Sequence, residues 1–256
     1  MKPLEIAIIG SGAAAVAAAL QAADHGAKVT MIEHATLGGT CVNVGCIPSK
    51  ILVRAAQMAH WRARPGFDAF PPVAEAVSMA RLSQQLASRV TDLRQQKYAD
   101  VLAAHPAVDF INAHARFTGP RTLALKLRDG SHRQIDADRI LIASGRSPVI
   151  PAIEGLAGTP YWTSTEALAA DELPEQLIIL GGSVIAVEVG QAFARLGSEV
   201  TLIARGPLLP RLDSELGAAL GGILRDERLR QDNPARVEER VTAVDRPPES
   251  GWRRWF

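Results

Sequence analysis

The segment that decides the fold of this chain reads Leu4-Glu5-Ile6-Ala7-Ile8-Ile9-Gly10-Ser11-Gly12-Ala13-Ala14-Ala15. Its apolar run predicts a short buried strand, and the Ala-rich stretch Ala13–Ala23 predicts a helix that ends before Gly26. Lys28–Glu33 then predicts a second short strand. A strand, a glycine turn, a helix and a strand within about 30 residues form a βαβ unit.

The turn Gly10-x-Gly12-x-x-Ala15 has the glycine spacing of a dinucleotide-binding site. Gly10 allows the tight turn, Gly12 lets the backbone approach a pyrophosphate, and small Ala15 permits close packing of helix on strand. The phosphates would lie at the helix N-terminus, where N–H groups and the dipole favour negative charge. Glu33 ends the second strand, where it can accept hydrogen bonds from a ribose diol. Glycine spacing alone is also compatible with tight packing, but together these features predict a nucleotide site.

A second βαβ unit is predicted from residue 177 onward. Leu177–Leu180 reads as a strand, Gly181-Gly182-Ser183 as the turn, the next residues as a helix to about Leu196, and Glu199–Ala204 as a strand. Ser183 stands where a second glycine is usual, and it crowds the approach of a pyrophosphate slightly. We therefore expect Gly181 and Ser183 to contact a second nucleotide.

Two arginines follow the last strand of this second unit. Arg205 occupies the strand end where an NAD site carries an acid, and Arg211 lies six residues later. Guanidinium groups bind a 2′-phosphate through charge-assisted hydrogen bonds worth about 1.5–3 kcal/mol each. The pair therefore favours NADPH over NADH, although two solvated surface arginines are a common alternative.

The chain's two cysteines lie in Gly38-Gly39-Thr40-Cys41-Val42-Asn43-Val44-Gly45-Cys46-Ile47-Pro48-Ser49-Lys50. Cysteines at this separation can meet across a helix start, where the helix dipole stabilises a thiolate. A zinc site needs two more ligands, and no second Cys pair or nearby His pair supplies them. The pair predicts redox chemistry, with a chance pair of buried thiols as the alternative.

This Gly-Gly-x-Cys-x-x-x-x-Gly-Cys-x-Pro stretch resembles the signature of the pyridine nucleotide–disulfide oxidoreductases, and the resemblance covers about residues 4–216. In that family, electrons pass from NADPH or NADH to FAD and on to a disulfide. The resemblance implies FAD in the first unit and NADPH in the second, with Cys46 against the flavin and Cys41 as the interchange thiol. It also implies a catalytic pair of Lys50, beside the flavin, and Glu188. Further positions match family residues that contact FAD: Ala35, Gly39, Thr40, Ala115 and Gly145.

Within this family, several stretches resemble the mercuric ion reductases: Ser49–His60, Lys97-Tyr98, Pro160–Leu168 and Ala192–Ser198. Tyr98 matches an active-site tyrosine near the bound metal, although an ordinary core tyrosine is an equally good interpretation. Arg205 and Arg211 argue against a lipoamide-type enzyme, but not against a glutathione-type one. Soft thiolates prefer soft metals, so Cys41 and Cys46 are predicted to hold Hg(II).

The fold class expected is α/β, with two Rossmann-like dinucleotide-binding units joined through a β-meander and the second unit incomplete. Leu123, Leu125 and Leu127 alternate with polar or small residues, and Asp129-Gly130 provides the hairpin turn. We expect an FAD-binding domain with the redox disulfide at 1–148, a partial NADPH-binding domain at 149–220 and an irregular tail at 221–256. That tail has eight arginines, no lysine and three prolines, and so little to bury.

The resemblance also implies parts that find no match here: a second FAD motif, a dimerisation domain with a His-Glu couple, and a C-terminal cysteine pair. The family is homodimeric, and we expect a C-terminally truncated reductase of impaired activity. A reductase of other small disulfides and a non-enzymatic flavoprotein fragment are the alternatives.

The composition limits the classes of binding partner that we expect. A net charge of +1 gives no electrostatic reason to expect nucleic acid or an acidic membrane surface. No apolar run reaches the length of a membrane span, and the N-terminus lacks the features of a signal peptide. Two cysteines are too few for a secreted disulfide scaffold, so we interpret the protein as cytoplasmic.

Overall fold

The computed structural model describes residues 2–73, 75–227, 229–232 and 253–255, the backbone alone at 232 and 253–255. Its first half contains β1 (Glu5–Ile9), α1 (Ala13–Asp24), β2 (Lys28–Glu33), α2 (Gly39–Val44), α3 (Cys46–Ala63), α4 (Met79–Arg94), a π-helical turn (Gln95–Ala99) and α5 (Asp100–Ala103). The remainder contains β3 (Val108–Gly119), β4 (Thr122–Leu127), β5 (His132–Asp136), β6 (Arg139–Ile142), a 3₁₀ turn (Leu156–Gly158), α6 (Ser164–Leu168), β7 (Gln176–Leu180), α7 (Val184–Leu196), β8 (Glu199–Ile203), α8 (Ser214–Asp226), β9 (Arg230–Asp232) and β10 (Arg253–Trp255). None of the helices in these ranges is long and apolar enough to cross a membrane.

The chain divides into two compact units. Unit 1 combines Met1–Ile47 with Ser88–Ser147, and unit 2 combines Pro48–Ala87 with Pro148–Phe256. The structure thus groups the residues differently from the contiguous domains expected at 1–148 and 149–220. The reason is that side chains of the 48–87 segment are tied to the second half of the chain, as in the hydrogen bond from Arg195 to Gln57 at 2.6 Å.

Unit 1 is built on a six-stranded mixed sheet with the order β5-β4-β3-β2-β1-β6. β1 pairs in parallel with β2 and β6, whereas β3 pairs in parallel with β2 and antiparallel with β4. The long β3 therefore joins the βαβ unit to the antiparallel hairpins. This arrangement confirms the predicted βαβ unit followed by a β-meander.

The Ala-rich composition of α1 explains how closely it packs on this sheet. Ala15 and Ala19 are fully buried and four residues apart, so they lie on one face of the helix. They share a core cluster with Ile8, Val29 and Met31 of the strands beneath. Small side chains on that face bring the helix axis close to the strands, which fixes the start of α1 above the end of β1.

Unit 2 contains a four-stranded parallel sheet with the order β10-β7-β8-β9. Its helix α7 buries Phe193 completely, and Gly190 packs so closely that a Cβ there would lie 3.0 Å from Ile179 Cδ1. The strand–turn–helix–strand from β7 to β8 confirms the second predicted βαβ unit. With unit 1, it confirms the α/β class with two Rossmann-like units.

The tail expected from residue 221 onward differs from the structure in its described part. Helix α8 crosses the expected boundary and continues to Asp226, and β9 pairs in parallel with β8. The buried residues of α8 are Gly217, Gly221 and Leu224, and a Cβ on Gly217 would lie 2.4 Å from the carbonyl oxygen of Leu208. The Asp213 side chain caps the helix by accepting from the N–H of Glu215 at 3.0 Å. Residues 233–252 lie outside the described part of the chain.

A charged cluster in unit 2 supports a stability prediction. Arg195 forms a bidentate pair with Glu227, at 2.8 Å from Nε and 2.7 Å from Nη2, and both side chains are only 13% exposed. Burial would raise the pKa of Glu227, but the hydrogen bonds and charge of Arg195 outweigh it and lower that pKa. We expect Glu227→Gln to reduce the free energy of unfolding at neutral pH by about 2 kcal/mol, measured by urea denaturation.

The pH dependence checks the cause of this loss. Because the folded-state pKa of Glu227 is depressed, its contribution is present above the unfolded-state pKa and is lost as pH falls through the folded-state pKa. The difference between parent and Glu227→Gln should therefore shrink in acid. Glu172→Gln, at an exposed glutamate of the same unit, is the matched control. A pH-independent difference would contradict the electrostatic cause.

Candidate cofactor and redox sites

The first glycine turn has a backbone that only glycine can adopt. Gly10 has φ +112°, and a Cβ there would lie 2.1 Å from the carbonyl oxygen of Ala143. Its N–H donates to the carbonyl of Ile32 at 2.7 Å. Gly12 is the N-cap of α1 in an extended conformation, and no side chain caps this helix start in the described structure. The first N–H groups of α1 are thus available to an anionic ligand, which fits the predicted pyrophosphate site.

Glu33 sits at the end of β2 in a hydrogen-bonded network and is only 7% exposed. Its Oε2 accepts from the Ser11 hydroxyl at 2.7 Å, and its Oε1 accepts from the N–H of Ala35 at 2.8 Å. The Ser11 oxygen in turn accepts from the N–H of Gly38 at 3.2 Å. Each carboxylate oxygen retains capacity for a ribose hydroxyl. Ser11 occupies the variable position of the Gly-x-Gly motif, so the sequence did not indicate that its side chain links Glu33 to the loop at Gly38.

The cysteine-bearing turn lies directly against the first glycine turn. Gly39, with φ +62°, approaches so closely that a Cβ would lie 2.8 Å from Gly12 Cα. Half-buried Cys41 lies within α2, and exposed Cys46 is the first residue of α3. A Cβ on Gly45 would lie 3.2 Å from Cys41 Cα, so the backbone preceding Cys46 packs on Cys41. The structure therefore brings the two cysteine-bearing segments together beside the predicted pyrophosphate site.

Tyr98 is a buried core residue, as one of its two interpretations predicted, and its active-site role stays a prediction. It is 9% exposed in the core cluster with Val42, and its ring is the neighbour that a Cβ on Gly38 would meet at 3.3 Å. Burial, and secondly the negative charge of the Cys41 thiolate, raise the pKa of Tyr98. Its hydroxyl therefore keeps its proton at neutral pH. It lies on a π-helical turn, an irregularity common at functional sites, which the apolar periodicity did not indicate.

Two of the other predicted FAD contacts in unit 1 lie beside each other, and a third lies elsewhere. The Thr40 hydroxyl donates to the carbonyl of Arg146 at 3.3 Å, and a Cβ on Gly145 would lie 3.6 Å from that hydroxyl. Thr40 and Gly145 are thus neighbours beside the cysteine turn. Ala115 lies farther along β3, opposite Leu125, and no hydrogen bond among the described residues joins it to them.

The second glycine turn repeats the backbone of the first. Gly181 has φ +132°, and its N–H donates to the carbonyl of Ile203 at 2.8 Å, as Gly10 donates to Ile32. Ser183, the N-cap of α7, is extended like Gly12 but accepts from the N–H of Ala186 at 3.4 Å. The serine therefore partly occupies a helix start that the first unit leaves open.

The two predicted NADPH arginines are exposed at either end of a loop that is fixed to this turn. Between Arg205 and Arg211, Leu209 has φ +54° and donates its N–H to the carbonyl of Gly182 at 2.7 Å. A left-handed leucine costs about 1–3 kcal/mol, so surrounding contacts must impose the loop conformation. Sequence reasoning missed Leu209, because positive φ is expected at glycine or asparagine.

A pocket of about 190 Å³ lies beside the start of α7 in unit 2. Its lining is mainly apolar and includes Pro148, Ile150, Trp162 and Ile185, with Ser183 among its polar residues. The volume is below that of a typical site for a whole cofactor, so it suits one end of a dinucleotide.

The predicted Lys50–Glu188 pair forms within unit 2. Lys50 Nζ lies 2.5 Å from Glu188 Oε1, and the Ser49 hydroxyl donates to the same oxygen at 3.4 Å. Glu188 is 19% exposed, whereas the lysine side chain is 64% exposed. Cys46 and Lys50 belong to one helix and are four residues apart.

The family model for "Pyridine nucleotide-disulphide oxidoreductase" matches residues 4–247. Mercuric reductase of Serratia marcescens is 48% identical over 230 residues, which cover 90% of this chain and 50% of the relative. The mercuric reductase of Shewanella putrefaciens is 50% identical over 226 residues, which cover 88% of this chain and 41% of that relative.

Among solved structures, the HOCl-induced flavoprotein disulfide reductase RclA from Escherichia coli is similar, with a TM-score of 0.76 and 34% identity. The match covers 90% of this chain and 48% of that one, and the Cu(II) complex of RclA has a TM-score of 0.75. The chain thus spans about half the length, or less, of the relatives that it matches. A pyridine nucleotide and a flavin in these descriptions support the predicted cofactors, NADPH and FAD. Since the family model matches nearly the whole chain, the chain belongs to the pyridine nucleotide-disulphide oxidoreductase family.

Proposed function

We propose that this chain serves the reduction of Hg(II) by NADPH, with FAD bound in unit 1 and the Cys41/Cys46 pair as the final electron carrier. The observation that supports this proposal most is the contact between the cysteine turn and the glycine turn. Gly39 approaches Gly12 so closely that a Cβ on Gly39 would lie 2.8 Å from the Cα of Gly12. Two sulfurs are thereby kept beside a helix start that suits a dinucleotide pyrophosphate.

The residues of unit 1 suit FAD by shape and by charge. The uncapped start of α1 provides N–H donors for phosphate, and the buried Glu33 carboxylate offers acceptors for ribose hydroxyls. Bound FAD would supply two-electron chemistry between a nicotinamide and sulfur. The Lys50 ammonium, held by Glu188, would provide a fixed positive charge for the flavin, as the family resemblance implies.

The sulfur pair suits Hg(II) as a substrate. Two thiolates are soft ligands and bind a soft metal ion in preference to hard ones. Overall, NADPH and Hg(II) would give NADP⁺, a proton and Hg(0), so two electrons leave the nicotinamide and both reach the metal. The Tyr98 hydroxyl, protonated beside Cys41, would donate a hydrogen bond to a thiolate there.

A second candidate is a reductase with another acceptor. RclA is described as a flavoprotein disulfide reductase and was solved with Cu(II), at 34% identity to this chain. Small disulfides such as oxidised glutathione, and Cu(II), are therefore the competing substrates. The mercuric reductases are more similar, at 48–50% identity, and this favours Hg(II).

The test is NADPH consumption by the purified, FAD-loaded chain with Hg(II) in excess thiol, in parallel with oxidised glutathione and with Cu(II). Production of Hg(0) vapour coupled to NADPH loss would support the proposal. Turnover with glutathione alone or with Cu(II) alone would favour the second candidate. A preparation that binds flavin but oxidises NADPH with none of the three would leave a flavoprotein fragment without this activity.

The arginine loop of unit 2 supports a prediction on nucleotide choice. Arg205→Glu places a carboxylate where a 2′-phosphate would lie, so we expect NADPH affinity to fall at least about tenfold. NADH affinity should change little, because NADH lacks that phosphate. Calorimetric titration of both nucleotides measures the difference, with Arg64→Gln as an exposed control in unit 2. Equal losses for both nucleotides would contradict a role for Arg205 in 2′-phosphate binding.

A further inference from the structure

Asn43 connects the end of the cysteine-bearing helix α2 to its own beginning. Its Nδ2 donates to two carbonyl oxygens, of Leu37 at 2.9 Å and of Gly39 at 2.8 Å. These carbonyls flank Gly38, which has φ +95° and begins the turn into the helix. One amide side chain thereby fixes the chain on both sides of a left-handed residue.

Arg94 anchors this asparagine to the end of α4. Its Nη1 donates to Asn43 Oδ1 at 3.0 Å, and its Nη2 donates to Thr91 Oγ1 at 3.4 Å. A charged donor on the amide oxygen polarises the amide and strengthens the bonds that its NH₂ group donates. The positive charge of Arg94 therefore acts along the amide on the carbonyls of Leu37 and Gly39.

This connection matters because α2 is too short to be stable alone. It has six residues, and helices of that length gain little from their own hydrogen bonds. Arg94 and Tyr98 are four residues apart, and they reach α2 and its entry turn at Asn43 and Gly38 respectively. Cys41 lies between these two points of attachment, two residues before Asn43.

We propose that Asn43 and Arg94 are positioning residues that hold the Cys41 turn in register for thiol–disulfide chemistry. The inference deepens the proposed function and rests on the part that it gives to Cys41. Neither residue needs to touch a substrate. Their effect is to keep the Cys41 sulfur half-buried and in one orientation, while exposed Cys46 begins the next helix, α3.

The test is the alkylation rate of each cysteine in the reduced full-length chain, followed by peptide mass spectrometry with iodoacetamide across a range of pH. In Arg94→Gln and Asn43→Ala, the plateau rate at Cys41 should rise about tenfold, the size expected for loss of one hydrogen bond to a charged group. The Cys46 rate should stay within about twofold, since its helix is not attached through Asn43. Arg94→Lys should restore most of the parent behaviour at Cys41.

Arg89→Gln, an exposed arginine on the same helix, is the matched control and should leave both rates unchanged. Thermal denaturation excludes a general loss of folding, which would raise both rates together. If the Cys41-to-Cys46 rate ratio stays within about twofold of the parent in both Arg94→Gln and Asn43→Ala, the positioning role is wrong. Because alkylation needs neither NADPH nor Hg(II), a changed ratio in a chain that does not reduce Hg(II) would retain this inference and reject the proposed function alone.

Discussion

Gly10→Ala is expected to lower the free energy of unfolding of unit 1 by about 4 kcal/mol or more, an exceptionally large effect for a single methyl group. The added Cβ would lie 2.1 Å from the Ala143 carbonyl oxygen and 2.8 Å from its carbon. Both are backbone atoms of the chain that leaves β6, so no side-chain rotation relieves the clash. The measurement is chemical denaturation followed by circular dichroism.

The control for this prediction is Gly130→Ala in the meander of the same unit. Gly130 also has positive φ, at +85°, but a Cβ there would meet nothing within 4 Å. The loss of unfolding free energy in Gly130→Ala should therefore reflect backbone conformation alone, about 1–2 kcal/mol. The difference between the two variants isolates the clash with Ala143. Equal losses would show that the strand end near Ala143 moves away freely, and the proposed tightness of the first glycine turn would be wrong.

Cys46→Ser is expected to reduce Hg(II)-dependent NADPH consumption at least about 100-fold while leaving the flavin bound. A serine hydroxyl forms neither a disulfide nor a stable bond to Hg(II), so electrons have no second sulfur to reach. Cys46 is exposed at the first position of α3, and serine is well tolerated at a helix start. Flavin absorbance and the NADPH oxidation rate are measured on the same preparation.

Two comparisons sharpen this result. Cys41→Ser should lose metal-dependent turnover to a similar extent, because the proposed mechanism needs both sulfurs. Ser83→Ala, in α4 and remote in sequence from both, removes only a hydrogen bond to the Ala169 carbonyl at 3.5 Å and should keep the parent rate. Retained Hg(II)-dependent activity in Cys46→Ser would contradict the carrier role proposed for the cysteine pair.

The part of the fold that the sequence predicted is the part dictated by local pattern. Apolar runs such as Leu4–Ile9 specify buried strands, and the glycine after each run specifies the turn that follows. The same local logic placed Glu33 at the strand end, whereas the pairing of Lys50 with Glu188 came from the family resemblance.

The parts that the sequence did not predict depend on contacts between distant residues. The packing of α8 depends on Gly217, where a Cβ would lie 2.4 Å from the carbonyl oxygen of Leu208, and this close approach has no local sequence signal. Ser11 occupies a position where the motif accepts many residues, and its link to Glu33 appears only after folding. The left-handed conformation of Leu209 is imposed by its surroundings and has no local signal.

The uncapped start of α1 has a consequence for how preparations of this protein behave. The Ser183 hydroxyl caps the first turn of α7. No side chain caps α1 in the described structure, so its first N–H groups need an anionic ligand as hydrogen-bond acceptor. A ligand that binds only the folded state raises the free energy of unfolding by RT ln(1 + L/Kd), where L is the free ligand concentration. Samples with different degrees of flavin saturation should therefore melt at different temperatures, and unit 1 should respond to added FAD or pyrophosphate more strongly than unit 2.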